Sequence, residues 1–197
     1  MGQAVEPSET HHHRNAPLSP WPEGQRAARY EALLCASHVI SAQRDPKAVF
    51  RVLVSALRHV VTFDALSVVL YDEATRQRSW HGLEIVNQPD AVPPSDFAPE
   101  DMVTWWAYHH QQPVVISCVA TETRFPRMMA RLKQYGMQSA CALPLTTVHR
   151  RLGGLGLGSR QPAAYPEEEI RFLTLVADQI ALAIDDALNF EATVSSQ

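Results

Sequence analysis

Apolar positions change their spacing along this chain in a regular way. From Gly24 to Ala42 they recur every three to four residues (Ala27, Tyr30, Leu33, Leu34, Ser37, Ile40), the period of a half-buried helix. Asp45-Pro46 then reads as an N-cap and first helical position ahead of a second stripe, Val49, Phe50, Leu53, Leu57, Val60 and Val61. From Ala65 to Tyr71 the residues are β-rich and stop at the polar turn Asp72-Glu73-Ala74-Thr75, after which Arg76 to Val86 returns as a hairpin partner. Asn87 to Glu100 carries four prolines and reads as a long loop. A short aromatic segment, Asp101 to Gln111, precedes a brief strand from Pro113 to Cys118.

Thr121 to Tyr135 opens as a loop and continues as a helix, with Phe125, Met128, Met129 and Leu132 on one side. Arg127 and Arg131 lie one turn apart on another, and Gly136 stops the helix as a C′ residue. Gln138 to Leu145 and His149 to Ser159 form a second hairpin around Thr147. The last element is a helix from Pro166 to Glu191 with three glutamates in its first turn, where the helix dipole favours them. On a helical wheel Ile170, Leu173, Ala177, Ile180, Ile184, Ala187 and Leu188 share one arc, widened by Phe172, Val176 and Ala183. Glu167, Arg171, Asp178, Asp185 and Asn189 fall on the opposite face, expected to meet solvent. Leu175 and Leu182, seven residues apart on that polar side, read either as a short seam for a partner helix or as two isolated exposed leucines.

Adjacent hairpins imply a mostly antiparallel sheet, with the end helices on one face and the middle loops and short helices on the other, an α+β arrangement. The run Gly153-Gly154-Leu155-Gly156-Leu157-Gly158 is expected to be its central strand. A dinucleotide-binding loop would need a helix to open at these glycines, and Gln161-Pro162 follows instead. Glycines that permit close packing beneath a helix or ligand fit better.

Composition narrows the function. With 197 residues, 46% of them apolar, and a net charge of −4, the chain fits one domain with extensions. It has no basic run and no aromatic–basic interleaving, so nucleic-acid binding is not expected. No apolar stretch reaches the roughly 20 residues of a membrane span. Three widely spaced cysteines (Cys35, Cys118, Cys141) suit reduced thiols in a cytoplasmic compartment. Residues 1–22 hold four prolines and the triplet His11-His12-His13, and are expected to be a disordered tail without a metal function. The domain is expected over 23–191, with 192–197 a tail or a linker to an output module.

Several blocks in order give the chain a family resemblance. They are Asp64 to Asp72, Gln112 to Ile116, Arg124-Phe125-Pro126, Gly136 to Leu145, Leu152 to Ser159, and the terminal helix from Glu169 to Ala187. Together they resemble a GAF domain, in particular the sensor domain of bacterial enhancer-binding transcriptional activators of the formate-hydrogenlyase-activator type. That resemblance implies a six-stranded, mostly antiparallel sheet with a ligand cavity in front, roofed by residues 87–135. It also implies a homodimer formed through the end helices, here Leu175 and Leu182.

The cavity candidates are Trp80, His81, Trp105, His109, Arg124, Met128, Ser139 and Cys141, an apolar set with a few polar groups. Each also reads as a packing residue. Arg124 could meet a small carboxylate at the start of the short helix or simply pair with Glu122. Some relatives reduce free methionine sulfoxide with cysteines around the pocket, but the three cysteines here fall on separate elements, so no catalysis and no cofactor are expected. Another relative holds non-haem iron. Asp96, Asp101, His109, His110 and Cys118 are suitable ligand types, yet their spacing matches no metal motif. The expected function is a non-catalytic sensor for a small molecule, anionic ones included, with a ligand-free dimerisation scaffold as the rival.

Overall fold

The structure, a computed structural model, describes residues 22–41 and 45–195. The expected tail and its histidine triplet lie outside them. Helix α1 (Glu23–Ser41) and helix α2 (Pro46–Leu57) come first. The Asp45 carboxylate accepts the Lys47 N–H at 3.0 Å, so the Asp-Pro pair caps α2 as its chemistry dictates. Strands β1 (Ala65–Asp72) and β2 (Gln77–Ile85) follow, then a one-turn helix at Pro99–Asp101 and helix α3 (Val103–His110). Strand β3 (Val114–Ile116), helix α4 (Pro126–Gln134), strands β4 (Ser139–Thr146) and β5 (Arg151–Ser159), and helix α5 (Glu167–Ser195) complete the chain. Gly136 sits at φ 73° just past α4, a left-handed cap that glycine adopts without strain.

The sheet is antiparallel throughout, in the order β2-β1-β5-β4-β3, with the glycine strand β5 at its centre. It has five strands, not six. The stretch after β2 carries Pro89, Pro93, Pro94 and Pro99, which cannot donate ladder hydrogen bonds, and it runs as a loop.

The two faces of the sheet differ in side-chain size, and this decides where the site lies. On the back, Leu66, Val68 and Leu70 of β1, Leu155 and Leu157 of β5, and Cys141, Leu143 and Leu145 of β4 pack with α2 and α5 in one core. Leu173, Ile180 and Ile184 of α5 are fully buried there, each worth roughly 1.5–3 kcal/mol relative to exposure. On the front, paired positions are Ala65↔Gly158, Ser67↔Gly156, Ala140↔Gly158 and Ala142↔Gly156. None of these residues is larger than serine. Three adjacent strands therefore leave a shallow trough, and α3 and α4 cover it.

The outer face of α5 departs from the wheel at one position. Asp185 is buried: it accepts a hydrogen bond from the Thr147 hydroxyl at 2.8 Å and pairs with the Arg150 Nε at 2.5 Å. The β4–β5 turn folds back over α5 and covers it, a contact that helical periodicity cannot reveal. The helix also continues through Ser195, past the expected end at Glu191.

Candidate functional site

Small front-face residues make the floor of an apolar cavity of about 90 Å³. Ala65, Ser67, Ala140, Ala142, Gly156 and Gly158 are the floor, and Trp80, Leu83 and Ile85 of β2 one wall. Thr104 of α3 and Met128, Arg131 and Leu132 of α4 close the roof, together with Tyr135. Glycine is required where α3 descends. A Cβ on Gly154 would stand 2.7 Å from the Thr104 carbonyl oxygen, and one on Gly156 would stand 2.6 Å from the Ser67 hydroxyl. Thr104 is then fixed by a 2.9 Å hydrogen bond to the Tyr71 hydroxyl, whose ionisation burial pushes far up.

Val92 and Pro94 bring the proline-rich loop over the cavity as a lid. Arginines hold it. Arg78 donates to the carbonyls of Phe97, Pro94 and Ser95, the last two at 3.0 Å. Arg127 pairs with Asp96 (2.8 Å) and Asp101 (2.9 Å) and lies 4.6 Å from the Phe97 ring centroid. Because Arg78 alone serves three lid carbonyls, Arg78→Ala should raise amide hydrogen exchange over residues 92–98 by about tenfold or more while the β1–β5 ladder stays protected. Unchanged exchange in that segment would mean the lid is held by other contacts.

Among the described residues, two donors of the cavity have no acceptor. The Trp80 Nε1–H and the Arg131 Nε–H are both buried without a hydrogen-bond partner. Arg131 makes one long contact, from its terminal nitrogen to the Val92 carbonyl at 3.4 Å, and lies 5.6 Å from the Tyr135 ring centroid. It is the sole charged side chain among the lining residues, and among the described residues no carboxylate pairs with it. Burying an unsatisfied N–H costs about 1–3 kcal/mol, more on a charged group, so both donors favour an acceptor placed in this space.

Of the eight candidates read from sequence, Trp80, Met128 and Cys141 are among the lining residues. The Cys141 side chain lies behind the floor: its neighbours Ala140 and Ala142 face front, whereas its thiol is in the back core, where burial pushes its pKa up. His81 is the extra residue of a bulge, between the pairs Val68↔Gly82 and Val69↔Trp80. Its Nε2 meets the Ser79 hydroxyl at 3.0 Å, and burial, reinforced by Lys47 of α2, holds its pKa low. Ser139 is fully buried, donating to the Gln161 carbonyl (2.6 Å) and accepting from the Ala164 N–H, which fixes the lead-in to α5.

Trp105 and His109 stack on each other, centroids 4.7 Å apart, along an open groove on the outer side of α3 beside Tyr71 and Glu100. Arg124 takes the simpler of its two readings. It clasps Glu122 through Nε (3.0 and 3.1 Å) and a terminal nitrogen (2.6 Å), and this bond holds the Glu122 carboxyl down at about 2. Among the described residues no three His, Cys, Asp or Glu side chains converge. Asp96 and Asp101 serve Arg127, while His109 and His110 stack on tryptophans. The iron ligand set does not assemble.

Residue-by-residue reading missed Ser67, Arg131 and Tyr135. A signal for the floor was available: small and large residues alternate strictly along Gly154-Leu155-Gly156-Leu157-Gly158 and Ala140-Cys141-Ala142-Leu143. Among the described residues no helix is long and apolar enough to cross a membrane.

The family model described as "GAF domain" matches residues 43–185. No curated protein matches. Solved structures share the fold. The free methionine-R-sulfoxide reductase of Neisseria meningitidis, in complex with its substrate, superposes with a TM-score of 0.69 at 15% identity over 87% of this chain and 95% of that one. The GAF domain of the Acinetobacter phosphoenolpyruvate-protein phosphotransferase gives 0.67 at 16% identity, covering 84% and 98%. The bacteriophytochrome RpBphP3 of R. palustris gives 0.65 at 14% identity, covering 90% of this chain and 40% of that one. At such identities the likeness concerns the fold alone.

Proposed function

The chain belongs to the GAF domain family, and from that membership we propose that it is a non-catalytic sensor domain holding a small molecule in its front cavity. The apolar cavity with two unanswered donors is the observation that carries this reading. Transmission needs little distance. Strand β4 turns Ala140 and Ala142 to the cavity and Leu143 and Leu145 to α5, so one strand separates ligand from output helix. A ligand that favours one lid position over another can shift that strand and, with it, α5. The proposed output is regulation of a transcriptional or signalling module in the cytoplasm, and its support is the resemblance of the sequence blocks quoted above to activators of the formate-hydrogenlyase type.

The non-catalytic part of the proposal draws on the cysteines. Cys141 is part of the floor strand but packs its side chain in the back core, and Cys118 is exposed beyond β3; the side chain of Cys35 lies outside the described residues. Turnover in a thiol-dependent assay with free methionine sulfoxide would overturn it.

Binding itself is tested by a thermal-shift screen over small acids, amino acids and nucleotides. A ligand at 100 times its dissociation constant adds about 2.7 kcal/mol, a rise of roughly 5–10 °C for a chain of this size. Ser67→Leu, which fills the floor, should abolish the rise while leaving the far-ultraviolet circular dichroism unchanged. If no compound shifts the wild type, the scaffold reading replaces this one.

We assign the dimer to α5. Leu175 and Leu182 are 41% and 50% exposed on one face of that helix, apolar surface that a second copy would cover. The double variant Leu175→Glu/Leu182→Glu should sediment as a folded monomer. An unchanged dimer would move the interface elsewhere.

A further inference from the structure

Resting on the sensor reading, we infer that the cavity selects a short aliphatic monocarboxylate, its carboxylate between the Trp80 Nε1–H and the Arg131 Nε–H. Three observations define the class. The lining is apolar except for a few groups, and its one charge, the Arg131 guanidinium, has a free Nε–H and no carboxylate partner among the described residues, so the space lacks an anion. The missing partner must accept from two separate N–H groups, which the two oxygens of a carboxylate do without further hydrogen atoms to place. With the Thr104 hydroxyl already bonded to Tyr71, the remaining surface apart from the Ser67 hydroxyl, namely Leu83, Ile85, Met128 and Leu132, takes alkyl carbon.

Size sets the upper limit. At about 90 Å³ the cavity is well below the ~300–1,000 Å³ of sites for larger ligands, so nucleotides and tetrapyrroles do not fit under the closed lid. A phosphate would suit the charge but not the apolar walls. A neutral amide of the same shape has one acceptor oxygen, and its NH₂ would face a second donor or alkyl carbon.

The experiment compares butyrate, butyramide and 1-butanol by calorimetry and by the indole N–H signals of the four tryptophans in ¹H–¹⁵N spectra, with Trp80→Phe identifying one of them. The expected result is that butyrate binds at least about tenfold more tightly than butyramide and shifts the Trp80 indole proton. Arg131→Met should lose that preference while still taking 1-butanol, which shows the cavity intact. Arg131→Lys should restore part of it, since charge returns without the Nε donor. Equal affinities for acid and amide, or an Arg131→Met variant that binds butyrate as the wild type does, would overturn the inference and leave the sensor reading standing. If none of the three binds and the Trp80 indole does not move, the inference also falls; a null result in the broad thermal-shift screen is what would remove the sensor reading with it.

Discussion

Gly153→Ala should destabilise the protein by roughly 3 kcal/mol, although it adds a single methyl group. A Cβ there would stand 2.0 Å from the Val69 carbonyl oxygen and 2.8 Å from the Leu70 Cα. Both are backbone atoms of the neighbouring strand, so no rotamer change relieves the clash. Relief requires β1 to move off β5, which breaks ladder bonds in the middle of the sheet. Overpacking a core costs about 1–3 kcal/mol when side chains can yield, and here they cannot. Gly158→Ala is the control. The nearest atoms to its Cβ would be side-chain atoms, the Ala65 Cβ and the Met137 sulfur at 3.3 Å, and the cost should stay below about 1 kcal/mol. Urea denaturation of the two variants reads the difference directly, and equal midpoints would contradict the strand geometry described above.

Asp185→Ala should cost about 2 kcal/mol and loosen the end of the sheet from α5. The carboxylate is 4% exposed and holds the Thr147 hydroxyl and the Arg150 guanidinium, while Arg150 also reaches the Asn189 side-chain oxygen at 2.7 Å. Hydrogen bonds to a charged group contribute roughly 1.5–3 kcal/mol, and Arg150, being part-exposed, can turn to water when its partner goes. A double-mutant cycle with Arg150→Ala should give a coupling of about 1 kcal/mol or more, against near zero for independent surface charges. On the proposed sensor reading, the clamp ties the β4–β5 turn to the helix assigned as output. In Asp185→Ala, ligand binding should persist while its effect on α5 exchange protection weakens.

Much of this was legible in the order of residues. Asp45-Pro46 announced the start of α2, Gly136 the end of α4, and the alternating glycines a strand that lies mid-sheet under a covering helix. Those features are local or periodic, so they survive without knowledge of neighbours. The site was less legible, because its residues were chosen by type and not by direction. Trp80 lines the cavity, whereas its neighbour His81, the extra residue of the bulge, lies near Lys47 at the start of α2. Trp105 and His109 share the outer face of α3, and Arg124 found its carboxylate two residues away. Arg131 was visible only as one of two arginines a turn apart. Its importance comes from what surrounds it in space: an apolar space with no carboxylate. Asp185 shows the same limit, since a hydrophilic residue on the polar side of a helix becomes buried when a distant turn folds over it.

In the proposed sensor a molecule is held in the trough above the small-residue strip, under the arginine-held lid. A crystal structure of the protein soaked with the strongest compound from the thermal-shift screen tests it most directly. Difference density is expected between Trp80 and Arg131, over Ser67 and Gly156, with an acceptor atom at hydrogen-bond distance from both donors. Density in the groove beside Trp105 and His109, with the front cavity empty, would contradict it.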